Sequence, residues 1–432
     1  MGILNKAGIL FISDEVAHKQ TAVNGSFTMV NRFTRRDFLK FILAGSLYAL
    51  GDGRRPMCAS PNGMMGEGLL EAIEASDMDR ALEMYVNMVS QGVDPWEIHL
   101  SLFPTVQRVT NPPFINPHLP KMYSICRELV PRLSERGTRA FLSLEIKEYA
   151  RRPKTEKVPK ANLLPTRVGF NDIESAIRAN DPEKATVLMA TFLNQGSGAE
   201  FARRLLLLGS GYLNSSLGHS VSCTVFILSE MLERTDVDPW PALSTLAFYF
   251  CKGGFSTTPA PKKSALFVEK QGSDHQMLRA TSGRGFVPLH HTITRYAIER
   301  ARRFLGQEDY IHMVNAWIDF LGDKGEERVS LEGTASEPAK EYNQFYERFS
   351  TLETKPVAAS LSSMIGSQEG RQKIKRFLIQ GVCDKYQGDY DPHYLTGLGS
   401  ALWVLDQYWQ DAPLVTNSLV QYLDFFFSGI KS

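Results

Sequence analysis

Leu217-Gly218-His219-Ser220-Val221-Ser222 runs straight into CTVFILSEML at 223–232. A glycine marks a turn, a histidine follows it, and an apolar helical stripe begins at once. The same order recurs along the chain. Asn116-Pro117-His118, Pro288-Leu289-His290-His291 and Asp391-Pro392-His393 each place histidine between a turn and a helical run. Three copies share a local pattern of His, any residue, apolar residue, Ser or Thr. They are His219-Ser220-Val221-Ser222, His291-Thr292-Ile293-Thr294 and His393-Tyr394-Leu395-Thr396. His118-Leu119-Pro120-Lys121 is a looser fourth copy.

A second repetition surrounds the first. EAIEASDMDRA at 71–81 matches SAIRANDPEKA at 175–185 in pattern, and each continues through a helix to Gln91-Gly92 or Gln195-Gly196. Leu70, Ile73, Met78, Ala81, Leu82 and Tyr85 fall at spacings of three to five, read as mostly one apolar stripe. Gly92 is placed to end that helix, and Asp94-Pro95 to start the next with an N-cap and a first-turn proline. Val237-Asp238-Pro239-Trp240 repeats the device. Alternating β-branched runs are nearly absent. The expected fold is all-α: a pseudo-repeated helical bundle with a His-lined central cavity. Residues 62–150 form the first helical repeat and 151–168 a basic, proline-rich surface linker. Residues 169–432 hold the second repeat and C-terminal helices, packed with the first into one compact domain. Two further segments, 253–263 and 325–341, read as long loops.

Composition removes several functions. The 432 residues carry a net charge of +1 and are 43% hydrophobic. A near-neutral chain lacks the basic surface that nucleic acid demands. The five cysteines are scattered and form no CxxC, which excludes a zinc ribbon and c-type haem attachment. Cys223–Cys251 remains open as a disulfide in an oxidising compartment. No nucleotide-binding glycine motif, GxSxG or HExxH occurs.

The histidines carry the chemistry. A helix start fixes side-chain direction, so four such starts brought together aim four imidazoles at one point. Neutral imidazole is a common metal ligand and a proton shuttle, and an imidazole set suits Fe, Cu or Zn. His118, His219, His291 and His393 are the candidate ligands, with His290 as the alternative to His291. Ser222, Thr294 and Thr396 share their helix face and are candidates to orient a bound group. The competing reading makes these histidines helix caps kept for packing. His99 and His312 lie mid-helix and read as packing or surface residues. Glu145 and Glu148 read as an exposed helix face in preference to an acid–base pair. Trp403, Tyr408, Trp409, Tyr422, Phe425, Phe426 and Phe427 read as core or C-terminal docking surface.

The N-terminus carries an address. Thr34-Arg35-Arg36-Asp37-Phe38-Leu39-Lys40 resembles the twin-arginine export motif at every fixed position, and the apolar run Phe41–Leu50 follows. About ten residues are too few to span a bilayer, which needs roughly twenty, and they fit a signal peptide. Cleavage is expected after Gly51; an uncleaved anchor would be the only membrane attachment. A start at Met29 would give an ordinary leader. The resemblance implies passage through the twin-arginine translocase in folded form into the periplasm or another extracytoplasmic space. It favours a cofactor loaded beforehand.

The helix-opening histidines after Pro or Gly resemble those of all-helical proteins related to questin oxidase, including helical regions fused to Rieske domains. That resemblance implies a helical scaffold with a histidine-lined cavity and oxygen or redox chemistry. The chain lacks the Cys-x-His and Cys-x-x-His pairs of a Rieske cluster, so no iron–sulfur centre is implied. The expected function is an exported oxidoreductase for a small organic substrate, served by a redox partner. The alternative is a non-catalytic partner or ligand-binding protein of the cell envelope.

Overall fold

The computed structural model describes residues 62–109, 117–129, 135–155, 157–234, 237–253, 273–322, 342–350, 354–385 and 392–431. The export motif, the expected cleavage site and the two long loops, beyond Gly253, lie outside these residues. Among them there is no strand beyond an isolated bridge between Val109 and Lys154. The helices in order are α1 (Asn62–Glu74), α2 (Met78–Ser90), α3 (Pro95–Ser101), α4 (Phe103–Val106), α5 (His118–Leu129), α6 (Glu135–Arg151) and α7 (Phe170–Arg178). There follow α8 (Pro182–Gln195), α9 (Gly198–Ser210), α10 (His219–Glu233), α11 (Trp240–Lys252), α12 (Ser273–Ser282) and α13 (Phe286–Ala301). The chain closes with α14 (Gln307–Leu321), α15 (Tyr342–Ser350), α16 (Thr354–Ile365), α17 (Gln368–Lys385), α18 (His393–Gln407) and α19 (Ala412–Lys431).

The repeat is visible in its turns. Ser76 and Asn180 both adopt φ +59, and each precedes a capping aspartate. Asp77 accepts the Arg80 amide at 3.1 Å, and Asp181 accepts the Lys184 amide at 3.0 Å. These turns correct the reading of 70–85 as one stripe. The chain folds back after Glu74, and α1 and α2 form a helical hairpin, as α7 and α8 do. The turn residues outweigh the periodicity because a left-handed residue followed by an N-cap ends one helix and starts another. Asp94 caps α3 through the Trp96 amide at 2.9 Å, and Asp238 receives the Trp240 amide at 3.1 Å.

Four helices make the centre: α5, α10, α13 and α18. Each packs against the next, and α18 closes the ring on α5. They run parallel. Their N-terminal ends touch through histidine rings, with His290 one turn into α13, while the far ends of α5, α13 and α18 share a recess of about 320 Å³ lined by Glu128, Tyr296, Arg300 and Trp403. At that far end Glu230 of α10 accepts Ser124 Oγ at 2.8 Å and Arg127 at 2.7 Å from α5. Four helix N-termini, each with partial positive charge, therefore meet at one place. The other helices wrap this bundle: α9 and α11 flank α10, and α12, α14 and α19 cover α13.

The linker lies on the surface, pinned by backbone groups. Thr155 N–H donates to the Arg108 carbonyl at 2.8 Å, and Trp240 Nε1 donates to the Val158 carbonyl at 3.0 Å. Cys126, Cys223 and Cys251 are free thiols, so the Cys223–Cys251 disulfide does not form. Tyr422, Phe426 and Phe427 are core, whereas Trp409 is exposed beneath the Arg371 guanidinium. Among the described residues, no helix is long and apolar enough to cross a membrane.

Candidate metal centre

The four helix starts bring together His118, His219, His290 and His393, all nearly solvent-free. His118 Nε2 and His219 Nε2 are 2.7 Å apart, and His290 Nε2 is 3.2 Å from the same His219 atom. The His393 ring lies 4.8 Å from that of His118 and 4.7 Å from that of His290. One ligand atom each from His118, His219 and His393 fits within 4.8 Å, so this buried triad can hold a metal ion. His290 sits at its edge.

Backbone carbonyls fix two of the rings. His219 Nδ1 lies 2.6 Å from the Ser216 carbonyl, and His290 Nδ1 lies 2.8 Å from the Phe286 carbonyl. A carbonyl only accepts, so both Nδ1 atoms carry the proton and both Nε2 atoms present a lone pair. Two lone pairs thus face each other at 3.2 Å. A proton bridges two nitrogens but leaves the third without one; a cation satisfies several together. Nitrogens each about 2.1 Å from one tetrahedral metal ion are about 3.4 Å apart; the pairs at 2.7 and 3.2 Å lie just inside that spacing, and the set with His393, which spans up to 4.8 Å, would have to draw together around an ion. The carbonyl bonds are the outer contacts that orient ligating imidazoles in metal sites.

Electrostatics keep the ligands neutral. Burial, above all, holds His118, His219 and His290 well below the ordinary imidazole range. Neighbouring imidazoles and the buried Lys121 ammonium push the same way. His118 Nδ1 has no hydrogen-bond partner among the described residues.

His291 is not in the group. Its ring meets Phe320 edge-on at 4.8 Å, and its carbonyl accepts Trp317 Nε1 at 2.9 Å. Adjacent helical residues point about 100° apart, so only one of the pair faces the bundle axis. Packing of α14 on α13 turns His291 outward, and His290 takes the inner place.

The hydroxyl residues lie one turn further in. Ser222 accepts Lys121 Nζ at 3.2 Å. Thr294 Oγ1 abuts Gly218 and, like Thr396 Oγ1, has no hydrogen-bond partner among the described residues. Lys121 and Phe286 were not singled out by sequence reasoning. Lys121 occupies the Ser/Thr place of the looser repeat, which was its signal. Phe286 precedes His290 by one turn, lies 4.4 Å from it and 4.8 Å from His393, and is 42% exposed. It separates the imidazoles from solvent.

A second polar group lies elsewhere. His99 is fully buried between Trp96 and Tyr123, and its Nδ1 is 2.8 Å from Glu145 Oε2. Tyr149 donates to the same carboxylate at 2.6 Å. Glu148 pairs with Arg151 and Arg152. Both glutamates are buried, which corrects the exposed-face reading. Local sequence shows their spacing but not the partners that make burial tolerable. His312 is half-buried near Ser210, and His275 is exposed.

Comparison with family models, curated proteins and solved structures gives no match. The functional reading therefore rests on the chemistry of the site.

Proposed function

We propose that the chain is an exported oxidoreductase that binds Fe, Cu or Zn through its buried imidazoles and acts on a small organic substrate. The observation that carries the metal reading is the pair of carbonyl-fixed rings, His219 and His290, with lone pairs turned on each other at 3.2 Å. His118 and His393 complete the donor set. A bound iron or copper ion would supply redox chemistry; zinc would supply a Lewis acid. The protein's part is to hold the rings neutral, exclude water and admit substrate past Phe286. The helix-opening histidines shared in style with questin-oxidase-like proteins support a redox assignment. The Thr34–Lys40 motif supports export, since folded passage suits a preloaded metal.

Elemental analysis of protein from its native host tests this reading. One metal ion per chain, lost in His219→Ala, is expected. Metal-free protein whose melting is unchanged by chelator would refute it. Replacement of Arg35 and Arg36 by lysine should trap the chain in the cytoplasm; normal export would refute the route.

A structural reading has its own observation. His118 and His219 at 2.7 Å can share an N–H···N bond and lock α5 to α10 without metal. Under that reading His219→Ala destabilises the fold by the same amount with and without chelator.

A further inference from the structure

Away from the imidazoles, the two helical repeats border a cavity of about 1160 Å³. α1 and α4 wall it from the first repeat, α8 and α11 from the second, and the linker runs along it from Lys154 to Lys160. No histidine-bearing helix of the metal centre contributes to the wall, so this site stands apart from the metal reading.

The wall is largely apolar. Trp240, Pro241 and Phe248 line it from one face of α11, and Leu70, Pro104 and Val158 add to it from α1, α4 and the linker. Trp240 and Phe248 stand eight residues apart, about 12 Å along the helix, so the apolar wall is elongated. Covering such a surface with an apolar chain is favourable.

One end is cationic. Arg108 hydrogen-bonds Glu74 Oε2, and Lys157 Nζ lies 3.9 Å from the same oxygen. Arg108 also donates at 2.6 Å to the carbonyl of Thr155, the residue after Lys154. The Lys154 ammonium donates to Ser76 Oγ at 3.0 Å and to the Ala150 carbonyl at 2.8 Å, both uncharged. Ser76 is two residues past Glu74, so three cations crowd one carboxylate. The other acids are placed elsewhere on the wall. Asp238 is paired with Lys160 at 2.8 Å, Glu71 faces Arg80 at 4.0 Å, and Glu183 sits in the first turn of α8, where the helix dipole favours it. Burial, above all, pulls the Lys154 ammonium down to about 8; Glu74 opposes this and Arg108 adds to it. An anion seated beside Lys154 would raise it again.

We propose that this cavity binds a long-chain aliphatic carboxylate, with its head group on Lys154, Lys157 and Arg108 and its chain along Trp240, Pro241 and Phe248. An ammonium whose protons go only to neutral oxygens gains from a carboxylate, because charge-assisted bonds are stronger. The elongated wall selects a chain over a compact ring.

Decanoate is titrated into the purified full chain by calorimetry at pH 8, in two buffers of different ionisation enthalpy. One site per chain is expected, with uptake of part of a proton, since Lys154 is only partly protonated at that pH. Absence of binding overturns the proposal, and binding without proton uptake overturns the contact with Lys154. Decanol and acetate separate head from chain, and each should bind at least roughly tenfold more weakly. Decanol binding as tightly as decanoate overturns the cationic end; acetate binding as tightly overturns the apolar wall. Lys154→Met should weaken decanoate by roughly tenfold, the worth of one charge-assisted hydrogen bond, and abolish the proton uptake; unchanged affinity overturns its role. Ser244→Phe fills the wall between Pro241 and Phe248 and leaves every charge in place. It should lose decanoate while keeping its melting temperature; wild-type affinity in this variant overturns the cavity as the site.

Discussion

Gly218→Ala probes the joint on which the site depends. Gly218 has φ +77, and a methyl group there would overlap Thr294 Oγ1 and lie 3.1 Å from Thr294 Cβ. The left-handed conformation costs a non-glycine residue roughly 1–2 kcal/mol. Forcing extra volume into a packed core adds about 1–3 kcal/mol. The stiffer unfolded chain returns about 0.4–1 kcal/mol. The net loss is about 1–5 kcal/mol, with the spread set by how far Thr294 can turn away. Gly92→Ala is the internal control. Gly92 has φ +86 with nothing within 4 Å of the added methyl, so only the backbone cost applies, about 1 kcal/mol. Urea unfolding of both variants beside wild type measures the difference. Because Gly218 immediately precedes His219, the variant should also bind metal more weakly. A Gly218→Ala loss no greater than that of Gly92→Ala would refute the close approach of α10 and α13.

Three further outcomes follow from the same geometry. His290→Ala should weaken metal binding by roughly tenfold or more, whereas His291→Ala should leave it intact and cost about 2–4 kcal/mol through the cavity against Phe320; calorimetry and unfolding distinguish them, and equal metal losses would contradict the placement. Glu145→Leu should cost about 3 kcal/mol because it strands His99 Nδ1 and the Tyr149 hydroxyl, with a smaller loss for Glu145→Gln; a loss under about 1 kcal/mol on unfolding would count against the buried network. Metal-free protein should lose stability as pH falls below about 6.5, since the unfolded chain then takes up protons that His118, His219 and His290 refuse in the fold. The slope reaches about 1.4 kcal/mol per pH unit for each such histidine, and His290→Ala should flatten it; a melting temperature constant from neutral pH to 5 would refute the burial argument.

Much of the scaffold was legible because its signals are local. A capping aspartate, a first-turn proline and a glycine stop act over a few residues, so Asp94-Pro95 and Gly92 read correctly from the chain. The hairpin at Ser76 was less legible: periodicity runs across it, and only the left-handed turn breaks it. Glu145 was misread for a different reason. It lies 46 residues from His99, and burial of each depends on the other.

The sequence by itself determined that three helices would open with histidine after a turn, at His118, His219 and His393, since turn chemistry and apolar periodicity are written into adjacent residues; the fourth departs from that expectation, because α13 opens at Phe286 and carries His290 one turn inside. It also determined that Ser222 and Thr396 would lie under their own imidazoles, because helical spacing leaves no choice. Only the tertiary structure decided that four helices run parallel and gather their N-termini at one point. It alone chose His290 over His291, since that choice depends on how α13 rotates against α10, α14 and α18. It alone buried Lys121 in a place where the other repeats carry hydroxyl groups. Rotation and parallel docking are set by packing between residues a hundred positions apart, and no local pattern encodes them.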